Sequence, residues 1–217
     1  MNNYSEKTAK ILLDIKAVSF NAKKPFRYSS GMLSPVYTDC RLLMGYPKER
    51  ILIRNLYVRM IQSTGKFDVI AGTATAGIPH ASWIADKLKL PMIYVRGKAK
   101  NHGKGNQIEG RLQKKQKVAV IEDLISTGES SSETVRAIRK EGAKSSYIFS
   151  IITYGMNKSK ENFKANGIKL ISLTDFPTVV KVAERIGYIK IKDKDIILQW
   201  AKDPASWGKK NKYSSAR

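Results

Sequence analysis

The spacing of apolar positions changes character part-way along the chain. Residues Ser5–Val18 place Ile11, Leu12 and Ile15 on one side of a helical wheel, which predicts an amphipathic helix. Lys24–Arg41 is punctuated by proline and glycine and predicts turns with short strands. Pro47–Gln62 predicts a second helix, with Pro47 in the first turn, where its missing N–H costs nothing. From there the pattern alternates. Apolar, β-branched runs predict strands at Phe67–Ala71, Met92–Val95, Lys117–Ile121, Ser146–Ile152 and Ile168–Leu173. Helical periodicity fills Ile78–Leu88, Ser131–Glu141 and Asn157–Asn166. Such alternation predicts an α/β fold, a mostly parallel twisted sheet with helices on both faces. No repeat or low-complexity linker interrupts it, so residues 1–217 read as one domain with a basic C-terminal tail about 203–217.

In sheets of this kind, ligands sit beyond the carboxyl ends of the strands. The most informative run lies at one such end. After Val118–Ile121 come two carboxylates, Glu122 and Asp123, then Leu124 and Ile125. Ser126, Thr127, Gly128, Glu129 and Ser130 follow as a small, hydroxyl-rich loop opening a helix. A strand end, a glycine turn and a helix N-terminus make an anion cradle, because free backbone N–H groups converge there and the helix dipole favours negative charge. The acids before it cannot hold a phosphate. They suit the hydroxyls of a sugar attached to one, since a carboxylate accepts such bonds in a strong, charge-assisted geometry. The pattern points to a ribose 5-phosphate.

Two more loops fall at the same edge. Gly72, Thr73, Ala74, Thr75, Ala76 and Gly77 form a small-residue turn between a strand and a helix, a second phosphate-sized cradle. The stretch from Arg96 to Gly110 is long, polar and glycine-rich, with Lys98, Lys100 and His102 inside it. Unstructured loops of that length in compact domains commonly serve as lids or binding loops.

Composition narrows the setting. The chain of 217 residues has 42% hydrophobic content and no run approaching the roughly 18–20 apolar residues of a membrane span. Its N-terminus is charged and helical in period, without a signal core, and the single cysteine, Cys40, excludes an internal disulfide. A cytoplasmic location is the expectation. The formal charge of +22, from 40 Lys+Arg against 18 Asp+Glu, fits attraction of a polyanionic small substrate, nucleic-acid binding, or simply a lysine-decorated surface. The lysines are scattered and no nucleic-acid-binding motif accompanies them, so no specific nucleic-acid partner is expected.

The run Glu122–Ser130 resembles the signature of the type I phosphoribosyltransferases, which bind phosphoribosyl pyrophosphate (PRPP). With Arg96, Lys100 and His102, the turn Thr73–Gly77 and the segment Ser29–Arg41, the chain is similar to the orotate phosphoribosyltransferases over roughly residues 15–185. The resemblance implies a small N-terminal hood formed mainly by residues 15–45. It implies transfer of phosphoribosyl from PRPP to orotate in pyrimidine synthesis, with Mg²⁺ carried by PRPP and no direct protein ligand. It also implies a homodimer whose mobile loop 97–110 acts across the interface. Lys100, His102 and Asp123 then take catalytic roles, Arg96 and Glu122–Ser130 bind PRPP, and Thr73–Gly77 bind pyrophosphate. Ser126 is the candidate orotate contact, with Arg41 as a possible carboxylate partner.

The chain departs from the family pattern at Ser29, Ala76 and Gly97, where some members carry lysine, and at Tyr154, where others carry an orotate-binding arginine. Glu129 stands where glycine is frequent, and its side chain is expected to turn outward. Two rivals share the motif: a phosphoribosyltransferase for another base, and a regulator that keeps the PRPP fold and binds nucleic acid. The first should lack the hood and the Lys100/His102 loop, and the second would add a DNA-binding segment.

Overall fold

The alternating strands pair into one sheet. In the computed structural model, which describes residues 3–28, 31–97, 107–211 and 213, the chain opens with helix α1 (Asn3–Asp14). Four short strands follow, β1 (Val18–Phe20), β2 (Phe26–Arg27), β3 (Leu33–Ser34) and β4 (Val36–Thr38), then a 3₁₀ helix at Cys40–Gly45. The body comprises α2 (Pro47–Thr64), β5 (Val69–Thr73), α3 (Gly77–Leu88), β6 (Met92–Val95), β7 (Ile108–Glu109), β8 (Lys117–Ile125) and α4 (Glu129–Lys140). It continues through β9 (Lys144–Thr153), α5 (Asn157–Ala165), β10 (Lys169–Asp175) and α6 (Phe176–Arg185) to α7 (Ile191–Lys202) and α8 (Pro204–Lys210).

The six-stranded sheet has the order β10-β9-β8-β5-β6-β7, and only β7 runs antiparallel to its neighbour. Strand β8 lies inside it, paired with β5 from Val69↔Val118 to Gly72↔Ile121 and with β9 on its other side. Its side chains alternate between two cores, as a strand buried on both faces requires. Ala119 and Ile121 join Leu12, Tyr57 and Ile84, whereas Val118 and Val120 join Val135, Ile138 and Phe163. Helices therefore cover both faces, as predicted.

The structure moves several predicted boundaries. Strands β5, β8 and β10 run two to four residues further toward their carboxyl ends than apolar patterning suggested, and β9 one residue further. Polar residues there still pair through their backbones, which hydrophobicity alone cannot register. Glu122 and Asp123 consequently lie within β8 and not after it. Helix α1 stops at Asp14, where the chain turns through Lys16 with φ 57°, and Val18 begins a strand. Helix α4 starts at Glu129, so Glu129 and Ser130 belong to its first turn.

The hood consists of two small antiparallel pairs, β1 with β4 and β2 with β3, plus the 3₁₀ helix. Ladders of two or three residues do not hold themselves. Here the C-terminal helices hold them. Trp200 Nε1 donates to the Leu33 carbonyl at 3.1 Å, the Tyr28 ring meets Trp200 edge-on at 6.2 Å, and Leu33 packs on Gly208. The Tyr213 hydroxyl also donates to the Ala22 carbonyl. Part of the segment read as a basic tail is thus helix α8, capped by Asp203 and anchored by a buried Trp207. Lysine-dominated composition hid that anchor. Among the described residues, no helix is long and apolar enough to cross a membrane.

His80 on α3 is buried between Tyr57 and Trp83, and burial lowers its pKa to about 4. It is neutral when folded but protonates below about pH 6.5 when unfolded, so its contribution is complete above that pH and is lost as pH falls toward 4. The loss amounts to about 3 kcal/mol. Urea unfolding of wild type and His80→Gln between pH 7 and pH 4 should show the steeper decline in wild type. Equal slopes would mean that His80 protonates without penalty.

Candidate active site

The two acids of β8 are drawn into the protein by the sheet that carries them. Glu122 is buried at 6% exposure and Asp123 is half-buried. Each carboxylate folds back on the next peptide: Asp123 N–H donates to Glu122 Oε1 at 3.2 Å, and Leu124 N–H to Asp123 Oδ1 at 2.7 Å. Burial pushes the Glu122 carboxyl well above the ordinary carboxylate range, and the charge of Asp123 beside it adds to the rise. Burial also raises Asp123, against the opposing pull of the Leu124 N–H. Adjacent carboxyls of this kind titrate as a pair and retain a proton more strongly than free acids. A ligand donating hydroxyl hydrogen bonds would stabilise the ionised form, which is the environment two ribose hydroxyls supply.

The hood closes one side of this pair. Cys40 is fully buried, its thiol pKa driven up first by burial and then by the charges of Asp123, Asp39 and Glu122. From the second helix, the Tyr57 hydroxyl donates to the Glu122 carbonyl at 2.6 Å. Arg41 grips its own hood, with Nε 2.7 Å from Asp39 Oδ1 and Nη2 3.0 Å from Oδ2, and this partner holds the Asp39 carboxyl below its usual range. The exposed guanidinium of Arg41 is therefore already engaged locally.

Beyond Ile125 the chain turns into the phosphate cradle. Gly128 adopts φ 71°, a left-handed conformation that side chains resist, and no side chain caps helix α4. The N–H groups of its first turn are thus left for an anion. Helix α5 braces the turn from below: Asn162 Nδ2 donates to the Gly128 carbonyl at 3.2 Å. A Cβ on Gly128 would lie 2.5 Å from the Phe163 ring. Ser126 and Thr127 are half-buried, Glu129 and Ser130 exposed, so Glu129 does turn outward. The side chains of Ile125 and Leu124 pack in the cores, leaving mainly their backbones to face a ligand.

The second turn is pressed against the same strand. A Cβ on Gly77 would come within 2.5 Å of the Ile121 carbonyl, so only glycine lets helix α3 start this close to β8. Ala74 N–H donates to the Val95 carbonyl at 2.9 Å, and the Ala74–Thr75 peptide is cis. Thr73 ends β5 buried, Thr75 is exposed, and Ala74 and Ala76 are half-buried. Arg96 leaves β6 with Nη1 3.7 Å from Glu109 Oε1. The sheet thus brings Arg96, the Thr73–Gly77 turn, the acid pair and the cradle to one edge. Lys98, Lys100, His102, Ser29 and Ser30 lie outside the described residues.

A family model for the phosphoribosyl transferase domain matches residues 46–185, more than half of the chain. An orotate phosphoribosyltransferase of Listeria monocytogenes is 49% identical over 205 residues, covering 94% of this chain and 98% of that protein. The chain belongs to the orotate phosphoribosyltransferase family. Another member, from Enterococcus faecalis, is 48% identical over 210 residues, covering 96% of this chain and all of its own. A crystal structure of orotate phosphoribosyltransferase from Aeropyrum pernix matches the fold with a TM-score of 0.72 at 28% identity, covering 83% of this chain and 98% of that one.

Tyr154, at the position where other members carry arginine, lies in the interior. It is buried with its ring 5.1 Å from Trp200 and 5.5 Å from Phe176, part of the aromatic packing under the hood. Sequence reading also missed Tyr57, Asn162 and Phe163, whose positions on helices mark them only as partly apolar faces. Their roles arise from contacts between elements distant along the chain.

Gly128→Ala should strain the turn and push on Phe163. Stability should fall by about 2 kcal/mol and phosphate-ligand affinity by about tenfold. Adding Phe163→Ala makes room and should restore part of the affinity. Thermal melting with calorimetric PRPP titration reads both effects, and unchanged affinity in Gly128→Ala would show that the cradle does not depend on this geometry.

Proposed function

We propose that this chain transfers the 5-phosphoribosyl group of PRPP to orotate, giving orotidine 5′-phosphate and pyrophosphate in de novo pyrimidine synthesis. The observation carrying this reading is the buried acid pair of β8 running directly into the uncapped start of α4, in a chain 49% identical to an orotate phosphoribosyltransferase. A ring nitrogen of orotate gives up its proton to solvent and forms its bond to the anomeric carbon as the carbon–oxygen bond to pyrophosphate breaks, and the electron pair of that bond leaves with pyrophosphate. Positive charge builds on the ribose and negative charge on the leaving group. Catalysis is then mostly positioning and electrostatics.

The residues divide that work. Ser126–Ser130 take the 5′-phosphate on backbone N–H groups, and Asp123, supported by Glu122, takes the ribose hydroxyls. The turn Thr73–Gly77 receives pyrophosphate. Arg96, Lys98 and Lys100 neutralise it as it departs, and His102 donates a hydrogen bond or proton to it. Ser126 contacts orotate, with Arg41 at the hood side. Among the described residues, no group of three or more His, Cys, Asp or Glu could hold a metal ion. Mg²⁺ would therefore ride on PRPP, held by substrate oxygens and water with no direct protein ligand. Bound there, it would withdraw charge from the leaving group.

Of the segment read as loop 97–110, Ile108–Glu109 form β7 and are held in the sheet, so the part that closes over the site of a partner subunit in a homodimer is the stretch before it, with Gly97, Gly103 and Gly105. Support for a partner face comes from Tyr37, Leu42, Met44, Tyr46, Ile51 and Leu52, exposed large hydrophobics gathered on the hood and the start of α2. The setting is the cytoplasm. The positive charge serves attraction of polyanionic substrates, without a specific nucleic-acid site.

A pyrophosphate-release assay with PRPP, Mg²⁺ and a panel of bases should give turnover with orotate and none with hypoxanthine, guanine, adenine or uracil. Fast turnover with a purine alone would move the chain to another branch of the family. Lys100→Ala should depress kcat much more than it raises KM for PRPP, because its charge meets pyrophosphate mainly in the transition state. Mixing Lys100→Ala with Asp123→Asn chains, after subunit exchange, should restore about a quarter of wild-type activity, since half the dimers are mixed and each has one intact site. No recovery despite proven exchange would place the loop in its own subunit's site.

A further inference from the structure

The acid pair has a support that lies outside the substrate-binding motifs. Tyr57 belongs to helix α2, is fully buried, and is separated from Glu122 by 65 positions in the chain. The β5–β8 ladder reaches Gly72↔Ile121 as its last registered pair, so the backbone carrying the acids leaves the cover of β5 where they begin. On the other side, the β9 ladder pairs Glu122 with Ser150 and Leu124 with Ile152, with Asp123 between them. The Tyr57 hydroxyl meets the Glu122 carbonyl at this point, 2.6 Å away. The Glu122–Asp123 peptide then has its carbonyl held by Tyr57 and its N–H held by Glu122 Oε1.

The Tyr57 ring has little freedom to move. Its centroid lies 6.4 Å from that of His80, which meets Trp83 edge-on at 5.3 Å, and the Arg50 guanidinium covers the Trp83 ring at 4.8 Å. Such a packed stack fixes the hydroxyl position. Rotating the Glu122–Asp123 peptide would break the Tyr57 bond in a place that water does not readily replace. It would also swing the Asp123 side chain, because carboxylate direction follows backbone direction along a strand.

We propose that Tyr57 is a positioning residue for phosphoribosyl transfer: by holding the Glu122 carbonyl it orients the peptide that aims Asp123 at the ribose. This rests on the reading of Asp123 as the ribose contact. Tyr57 itself touches no substrate and works through Asp123.

The test is a double-mutant cycle on the full-length enzyme, with steady-state kinetics and calorimetric PRPP affinity. Tyr57→Phe keeps the packed ring and removes one oxygen, so it should fold and melt cooperatively, which thermal denaturation checks. Its kcat/KM for PRPP should fall about five- to thirtyfold, with PRPP affinity reduced in parallel. In an Asp123→Asn background the same substitution should cost under about twofold, because the group it positions no longer carries the charge that matters. Equal losses in both backgrounds would show a general structural effect and overturn the proposal, as would wild-type kinetics in Tyr57→Phe alone. Wild-type PRPP affinity in Asp123→Asn alone would instead remove the ribose-contact reading beneath it.

Discussion

Two carboxylates placed inside a parallel strand set the terms for the rest of this molecule. Desolvating a charged carboxyl is costly unless hydrogen bonds or a shared proton offset it. Here the next peptide N–H serves each acid, and the pair keeps its pKa values raised. The surroundings are arranged about that demand. Gly77 lets α3 begin against the Ile121 carbonyl, Tyr57 holds the following carbonyl, and Cys40 brings the hood against the acids from another side. A water-exposed pair would be ionised and freely hydrated, and a sugar would gain little by replacing that water. A desolvated pair makes the same hydroxyl bonds count for more.

The hood depends on the opposite end of the chain. Fixing each backbone residue costs about 1–2 kcal/mol of conformational entropy, and ladders as short as Phe26–Arg27 with Leu33–Ser34 cannot offset that alone. Trp200, Trp207 and Tyr213 supply the missing contacts. Tyr154, at the end of β9, packs on Trp200 and Phe176, joining the same aromatic group to the sheet edge that carries the site. The hood is thereby fixed relative to the acids through the C-terminal helices, although residues 191–210 contribute none of the recognised substrate motifs.

Much of this was legible in the sequence wherever function and local pattern coincide. The run Val118–Ser130 disclosed a strand, an acid pair and a helix start because each has its own short-range signature. Alternation from Phe67 to Leu173 disclosed the parallel sheet because buried strands are apolar throughout. The failures share a cause. Strand ends interrupted by polar residues, as β8 is by Glu122 and Asp123 before Leu124 and Ile125, read as finished strands on a hydrophobic scale. Helices α7 and α8 are amphipathic with many lysines, and Trp200 and Trp207 register as isolated aromatics until the hood lies against them. Nor could composition show that Arg41, a candidate carboxylate partner, makes a bidentate contact with Asp39 two residues away, which is a property of the 3₁₀ turn.

The charge distribution connects these points. The ion pairs between Lys10 and Asp14 and between Lys89 and Asp86 are exposed, and such pairs contribute at most about 1 kcal/mol each. They do little for the fold. The protein's +22 is instead a long-range field with few strong local sinks, while the two acids at the site hold protons above the ordinary carboxylate range. On the proposed reading, the 5′-phosphate would take the free amides at the start of α4 and the sugar hydroxyls would reach the acid pair, whose burial raises the worth of each hydroxyl contact because few water molecules compete for the same oxygens.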